Sequence, residues 1–483
     1  MRELITKCKS AARIIKAARP SKGNLMSPRR DQADKMVKLY TEFESVFRIL
    51  HIPSLMAEYE EYWENTQNAP VDLQLRVLLA VGIGASLFEF DSIEEELAHR
   101  NQVHGWIYAA QEWLAVPKKD RLDVGGVQIY CLTLLVRQIF SVGGDMVWTS
   151  MGSLINVAEQ IGLNRDPKYL PEMTVLEAEV HRRLWATVLE MTIQAALDSG
   201  MPPRISLDEY DTLPPANIND NEIDENTTSI QEHHSQTFTD TSMQIKLLQS
   251  FPARLNILNR MSSLNSNLTY PDALSFGSEL IALRRDCSSL MSQISPFHRN
   301  LIEYLLQRFV IPLYCPFASQ ARQNPLFQHS MTECLDAALS LSHPEEDAQF
   351  SRLMIRGGGL FREGMRCATS MVTLALLQEM ESDSRTRRIG LQGEMLRDVM
   401  KEMMHVAIER IRHGETNIKG YMFLSMMMAQ AEGKDEKGLV KSAADSLEIC
   451  WDLLKTMGGD DGDVEGIEID FEIDFGQFLG FNF

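Results

Sequence analysis

A chain of 483 residues, 44% hydrophobic and 24% charged, has an ordinary globular make-up but is too long for one compact core, so two helical blocks are expected. Its longest apolar run, residues 77–88, is too short to span a bilayer, and the start lacks the apolar segment and small-residue cleavage site of a secretory signal. Seven scattered cysteines define neither a disulfide framework nor a metal-ligand spacing, which suits a reducing compartment.

In chain order, residues 1–38 come first. They hold eleven Lys/Arg against three Asp/Glu, a charge of +8, which leaves −28 for the rest of a chain that totals −20. Broken by Pro20, Gly23 and Pro28, this head reads as a basic, disordered leader. Phosphate contact, a nuclear address around Arg29-Arg30 and a mitochondrial presequence are the other readings.

Residues 39–215 form a first helical block. Apolar side chains recur at three-and-four spacing, with helices near 32–48, 54–64, 71–88, 93–115, 122–141, 147–161 and 174–198. Gly82 and Gly84 read as small residues that let helices approach closely, because Leu87 occupies the place of a dinucleotide motif's third glycine. Residues 216–240 have almost no apolar side chains and are expected to be a disordered linker.

A second block, 241–457, has helices near 242–262, 272–293, 298–323, 331–342, 344–356, 359–382, 389–413, 416–431 and 435–457. Gly357-Gly358-Gly359 reads as a helix break. Met400, Met403, Met404, Met422, Met426, Met427 and Met428 form a methionine-rich patch that reads as packing filler, with an adaptable apolar pocket as the alternative. The tail, 458–483, has eight acidic residues and no basic ones. The expected fold is all-α: an irregular array of antiparallel helices in two blocks, with a disordered linker and disordered termini.

The most informative stretch lies between residues 148 and 220. Trp148, Met151, Leu154, Ile155, Ala158 and Ile161 share one helical face. Gly162 sits where a left-handed cap is wanted, and Pro167 stops the helix from resuming. Thr174 and Glu177 form a capping box that opens the next helix. That helix has Val180, Leu184, Val188, Met191 and Ala195 on its dry side and Glu179 and Arg183 one turn apart on its wet side. Gly200 and Pro202-Pro203 end it, and Leu213-Pro214-Pro215 follows. Trp148, Leu154, Leu184, Trp185 and Val188 are expected to be mostly buried.

These motifs resemble the regulatory, or middle homology, domain of fungal binuclear-zinc-cluster transcription factors. The residues that carry the resemblance are Gly162, Arg165 and Asp166 of Gly-Leu-x-Arg-Asp-Pro, then Glu179, Arg182, Arg183 and Trp185, then Gly200 and Pro202. His51 and Pro53 belong to a segment similar to the domain's opening. His181 stands where the family usually has the first of three arginines. The likeness is specific over roughly residues 43–220 and loose to about residue 345.

What the resemblance implies is an all-α regulatory domain in the nucleus that restrains an activation segment and responds to a metabolite or corepressor. Family members regulate sugar use, nitrogen use and secondary-metabolite gene clusters. Zinc is typical of the family, but its site needs six cysteines within about thirty residues. Cys8 is the only cysteine before Cys131, so no cofactor is expected in this chain. DNA contact would then be indirect, through a partner, or through a missing upstream exon. In the tail, Phe471, Phe475, Phe478 and Phe481 stand among acidic residues, a pattern that suits docking onto a coactivator or the transcription machinery. A small-molecule effector and a homodimer stay open, and no membrane contact is expected.

Catalysis is not expected. Asp460-Asp461-Gly462-Asp463 lacks the second carboxylate motif of a terpene synthase, and neither a nucleophile elbow nor a His-Glu-x-x-His helix appears. His233-His234 is a lone pair in the linker that does not read as a metal site, and His51 and His181 read as hydrogen-bonded structural histidines. The alternative function is a helical protein-interaction scaffold without a transcriptional role.

Overall fold

Apolar residues at three-and-four spacing shape the backbone throughout. The computed structural model describes residues 1–20, 22–116, 123–264, 268–286, 292–386 and 391–458, which hold eighteen α-helices and no strand. The first eight are α1 (Arg2–Ala17), α2 (Arg30–Phe47), α3 (Ile52–Glu64), α4 (Val71–Ala85), α5 (Ile93–Ala115), α6 (Val124–Ile139), α7 (Val147–Gln160) and α8 (Val175–Ser199). After a long connection come α9 (Ser242–Met261), α10 (Tyr270–Asp286), α11 (Pro296–Gln307), α12 (Val310–Ala318) and α13 (Gln328–Ser342). The last five are α14 (Ala348–Arg356), α15 (Gly358–Thr386), α16 (Leu391–Arg412), α17 (Lys419–Ala431) and α18 (Glu436–Gly458).

The two expected blocks share one core. A single cluster of buried apolar residues runs from Ile5 to Leu454. Helix α2 packs on α9 and α11 as well as on α4, and α6 packs on α15. The expected helix over 298–323 is two: α11 ends at Gln307, and α12, which contains Pro312 and Pro316, restarts at Val310. Gly357 separates α14 from α15, as its place in a glycine run suggested.

The basic head is not a disordered leader. Helix α1 buries Ile5, Cys8 and Ala11 against α18, with Cys8 Sγ 3.5 Å from the Leu447 carbonyl. The following segment lies along α5: Asn24 N donates to Gly105 O (3.1 Å) and Trp106 Nε1 to Met26 O (3.0 Å). Charge concealed the short stripe Ile5-Cys8-Ala11, whose spacing is helical.

Glycine at 84 is required by a close approach. A Cβ there would lie 1.8 Å from the Met36 carbonyl oxygen of α2. At Gly82 the nearest atom, Val103 Cγ1, would be 3.3 Å away. Gly84→Ala is therefore expected to push α2 and α4 apart and cost on the order of 1–3 kcal/mol. Gly82→Ala should cost less, with both read from urea unfolding.

Helix α5 also sets a pH dependence. Burial lowers the His99 pKa to about 4. Burial, with Arg100 and Arg19 nearby, lowers that of His104 to about 2. Both rings stay neutral in the fold while the unfolded chain protonates them below 6.5. The stability they contribute is thus fully present above pH 6.5 and is lost as pH falls, at up to about 1.4 kcal/mol per pH unit for each histidine. Glu44 acts oppositely: burial raises its carboxyl to about 7, so its contribution fades as pH rises from 4.5 to 7. Because the buried His104 ring resists protonation, His104→Leu should make the urea midpoint less sensitive to acid between pH 6.5 and 4.5 than in the unsubstituted chain, whatever the sum of the other groups.

Candidate functional site

Helix α8 is amphipathic in an unusual sense, since nearly all of its middle is buried. Its apolar residues pack around Leu184, Trp185 and Val188 as expected. Trp148, expected to be mostly buried, is half-buried. The supposed wet side is instead a polar stripe inside the protein: Glu179, Arg183, Thr187, Glu190 and Gln194 are all buried, and Asp198 extends the row at the same three-to-four spacing. Buried charges persist only when paired and hydrogen-bonded, and each here is met by a side chain or backbone group from elsewhere.

The first pairings involve residues far apart in sequence. Arg183 donates from Nε to Glu179 (2.9 Å) and from Nη1 to Asp220 (2.7 Å). Arg48, which caps α2 in a left-handed conformation (φ 46°), also donates to Asp220. The second Asp220 oxygen accepts from Ile52 N (3.0 Å), and its carbonyl accepts from His51 Nε2 (3.0 Å). His51 Nδ1 pairs with Ser54 Oγ at 2.8 Å, and Pro53 lies in the first turn of α3. Burial opposes ionisation of Asp220, but Arg48 and Arg183 overcome it and hold its carboxyl below the usual range. At Glu179 burial prevails over Arg183 and the Ala216 amide, and the carboxyl is raised.

Residues 216–240, expected to be a disordered linker, form a structured strap over this charge cluster. Asn217 Nδ2 donates to the carbonyls of His234 and Thr237 (both 3.1 Å), and its Oδ1 accepts from Thr239 (2.7 Å) and Ser242 (3.0 Å). Ile218 and Ile223 pack with Leu176 and Ala216 in a small second core. His233 pairs with Glu222 at 2.8 Å. The strap is polar because its partners are polar, a distinction that composition does not carry.

The Gly-Leu-x-Arg-Asp-Pro motif docks residues 207–215. Gly162 takes the left-handed conformation (φ 84°) that ends α7. Asp166, fully buried, accepts a two-point bond from Arg182 (3.0 and 3.2 Å) and amide hydrogens from Leu213 and Lys168. Burial works against its ionisation, yet these donors lower its pKa. Arg165 pairs with Asp211 (3.3 Å), and His181 donates to the Arg165 carbonyl (2.8 Å). His181 therefore serves as a backbone anchor. Gly200 caps α8 at φ 60°, and the Pro202 carbonyl accepts from Trp148 Nε1 (3.2 Å).

Farther along α8 the stripe ties the second half of the chain to the first. Gln244 of α9 donates to the Arg183 carbonyl (2.8 Å) and to Thr187 (3.0 Å). Arg254 grips Glu190 at two points (2.8 and 2.7 Å). Gln194 donates to the Leu305 carbonyl, and Arg308 reaches both Gln194 and Asp198. Asp198 lines a cavity of about 280 Å³ between α6 and α15, together with Arg137, Arg362 and Glu363. Sequence reading missed Glu190, Gln194, Arg254 and Arg308, although polar residues at three-to-four spacing along α8 were the available signal.

The described residues do not fit a zinc cluster. Cys8, Cys131, Cys315, Cys334 and Cys450 are buried, and burial raises every described thiol, Cys8 to about 11 and Cys315 and Cys450 to about 12. Thiolate is the zinc ligand. Among the described residues no group of three or more His, Cys, Asp or Glu could hold a metal ion, and no helix is long and apolar enough to cross a membrane. Phe471, Phe475, Phe478 and Phe481 lie outside the described residues.

Comparison with known proteins places this geometry. The chain is 39% identical to "Transcription factor asR3" of Sarocladium schorii, over 98% of this chain and 63% of the relative. It is 31% identical to "Transcription factor lepE" of Aspergillus flavus, over 94% and 59%. "Aspyridones cluster regulator apdR" of Emericella nidulans is 29% identical, over 67% of this chain and 47% of that protein. The chain thus spans about three-fifths of the length of the first two relatives. No solved structure matches it significantly. Residues 38–304 match the model of the "Fungal specific transcription factor domain", a span that contains α8, the motifs of residues 148–220 and Arg254, and the chain belongs to that family.

Proposed function

We propose that this chain is the regulatory portion of a nuclear transcription factor that governs RNA polymerase II transcription of a secondary-metabolite gene set, and that it catalyses no reaction. The observation that carries the reading is the match over residues 38–304 to a transcription factor domain, reinforced by relatives named as transcription factors and, in one case, as a cluster regulator. The chemistry of the lattice supports it. The carboxylates and guanidinium groups that converge there point at one another and at backbone groups, where a catalytic site leaves reactive groups facing a substrate.

In this reading the helical body restrains the acidic-aromatic tail and releases it to a coactivator when an effector binds. DNA is reached through a partner or through a zinc-cluster segment encoded upstream, because the described thiols are unsuited to the metal. Fusing residues 459–483 alone, free of the restraining body, to a heterologous DNA-binding domain tests the tail. Reporter output should rise above background. Background-level output would favour a scaffold. Tight, sequence-selective, zinc-dependent DNA binding by this chain alone would contradict the proposed route to DNA.

A further inference from the structure

Helices α15, α16 and α17 enclose a second cavity of about 280 Å³. This lies at the lower edge of the ~300–1,000 Å³ range of small-molecule sites. One side is apolar and adaptable, with Met365, Met403, Ala407, Tyr421 and Leu424 on its wall. Arg362, Arg366, Arg410 and Lys419 also line it, against the carboxylates Glu363 and Glu415. That is an excess of two positive charges in a chain whose total is −20. Glu363 is already engaged by Arg366 at 2.7 Å.

Two guanidinium groups are left with unmet donors. Arg410 donates from Nε to the Met354 carbonyl (2.8 Å), but its Nη2 is buried without a hydrogen-bond partner. Arg362 Nε is buried in the same condition. Buried N–H groups are nearly always satisfied, and a cationic pair with spare donors beside an apolar wall is complementary to an anion that carries an apolar body. Arg362 and Glu363 also line the first cavity, where the polar stripe of α8 ends at Asp198.

We infer that this cavity binds a small amphipathic carboxylate, its carboxylate on Arg362 and Arg410 and its apolar body against Met365, Met403 and Leu424. Its role as effector rests on the regulatory reading above, whereas the binding itself does not. The test uses the purified full chain, with octanoate, octanamide and inorganic phosphate as probes in calorimetry and thermal unfolding. Octanoate should bind saturably at one site and raise the unfolding temperature. Octanamide should bind at least about tenfold more weakly, as the loss of a charge-assisted contact dictates, and phosphate should not compete.

Arg410→Met and Arg362→Met should each remove that preference for octanoate. Ala407→Phe keeps both arginines but fills the space, so it should abolish binding of octanoate and octanamide alike, and it decides the matter if an arginine variant fails to fold. Equal affinity for octanoate and octanamide, phosphate binding as tight as octanoate, no octanoate binding, or unchanged binding in Ala407→Phe overturns the site. Those outcomes leave the transcription-factor reading standing. Binding that leaves unchanged the reporter output of the full chain fused to a heterologous DNA-binding domain keeps the site and refutes its regulatory role.

Discussion

Asp220→Ala is expected to cost on the order of 3–5 kcal/mol of folding stability, the range for breaking a buried ionic cluster by removing one partner. Asp220 is 4% exposed and accepts from Arg48, Arg183 and the Ile52 amide. Its removal leaves Arg48 and Arg183 buried without their shared partner, with Glu179 still bonded to Arg183 and Glu44 near Arg48. Arg48→Met in the same chain should restore part of the loss, because it removes one uncompensated charge, and contacting residues commonly couple by about 0.5–3 kcal/mol. Urea unfolding of the two single variants and the double variant measures both effects. If residues 216–240 were instead a solvated linker, Asp220→Ala would fall within about ±0.5 kcal/mol, as exposed substitutions do.

The same cluster marks where sequence reading succeeds and where it fails. Helices were legible wherever apolar residues alone decide the buried face, and the two ends of α8 were read from Thr174-Glu177 and Gly200, which do cap it. Glu179 and Arg183 were assigned to water because a Glu–Arg pair one turn apart usually lies there. Their burial depends on Asp220 and Ala216, 37 residues beyond the nearer member of each pairing, and no local pattern holds that information. The strap failed for the complementary reason. Asp220 and the Ala216 amide satisfy buried polar groups on α8, and other polar side chains of the strap satisfy one another, yet the same composition describes a chain with nothing to bury. The head failed because eleven basic residues outweighed three small apolar positions on α1. Gly162, Asp166, Arg182, Arg183 and Trp185 serve two adjoining tasks: ending α7, and holding residues 207–215 and the 216–240 strap on α8.

Trp185→Ala is expected to lower stability by roughly 3–5 kcal/mol, the range for aromatic-to-alanine changes in a core. The indole is 2% exposed and meets Tyr210 edge-on, with ring centroids 5.6 Å apart at 61°. Its Nε1 is buried without a hydrogen-bond partner, so Trp185→Phe gives up volume but no hydrogen bond and should retain much of the stability. The substitution should also have a local signature. Tyr210 sits in the segment held by Asp211 N on the Asn164 carbonyl (2.9 Å) and by Leu213 N on Asp166 (3.1 Å). Loss of the ring contact should speed hydrogen exchange at those two amides more than at Gln244 or Arg254 of α9. Uniform acceleration across this segment and α9 would mean that Trp185 supports only the common core, and that the signature motif acts through the Asp166 and Asp220 pairings alone.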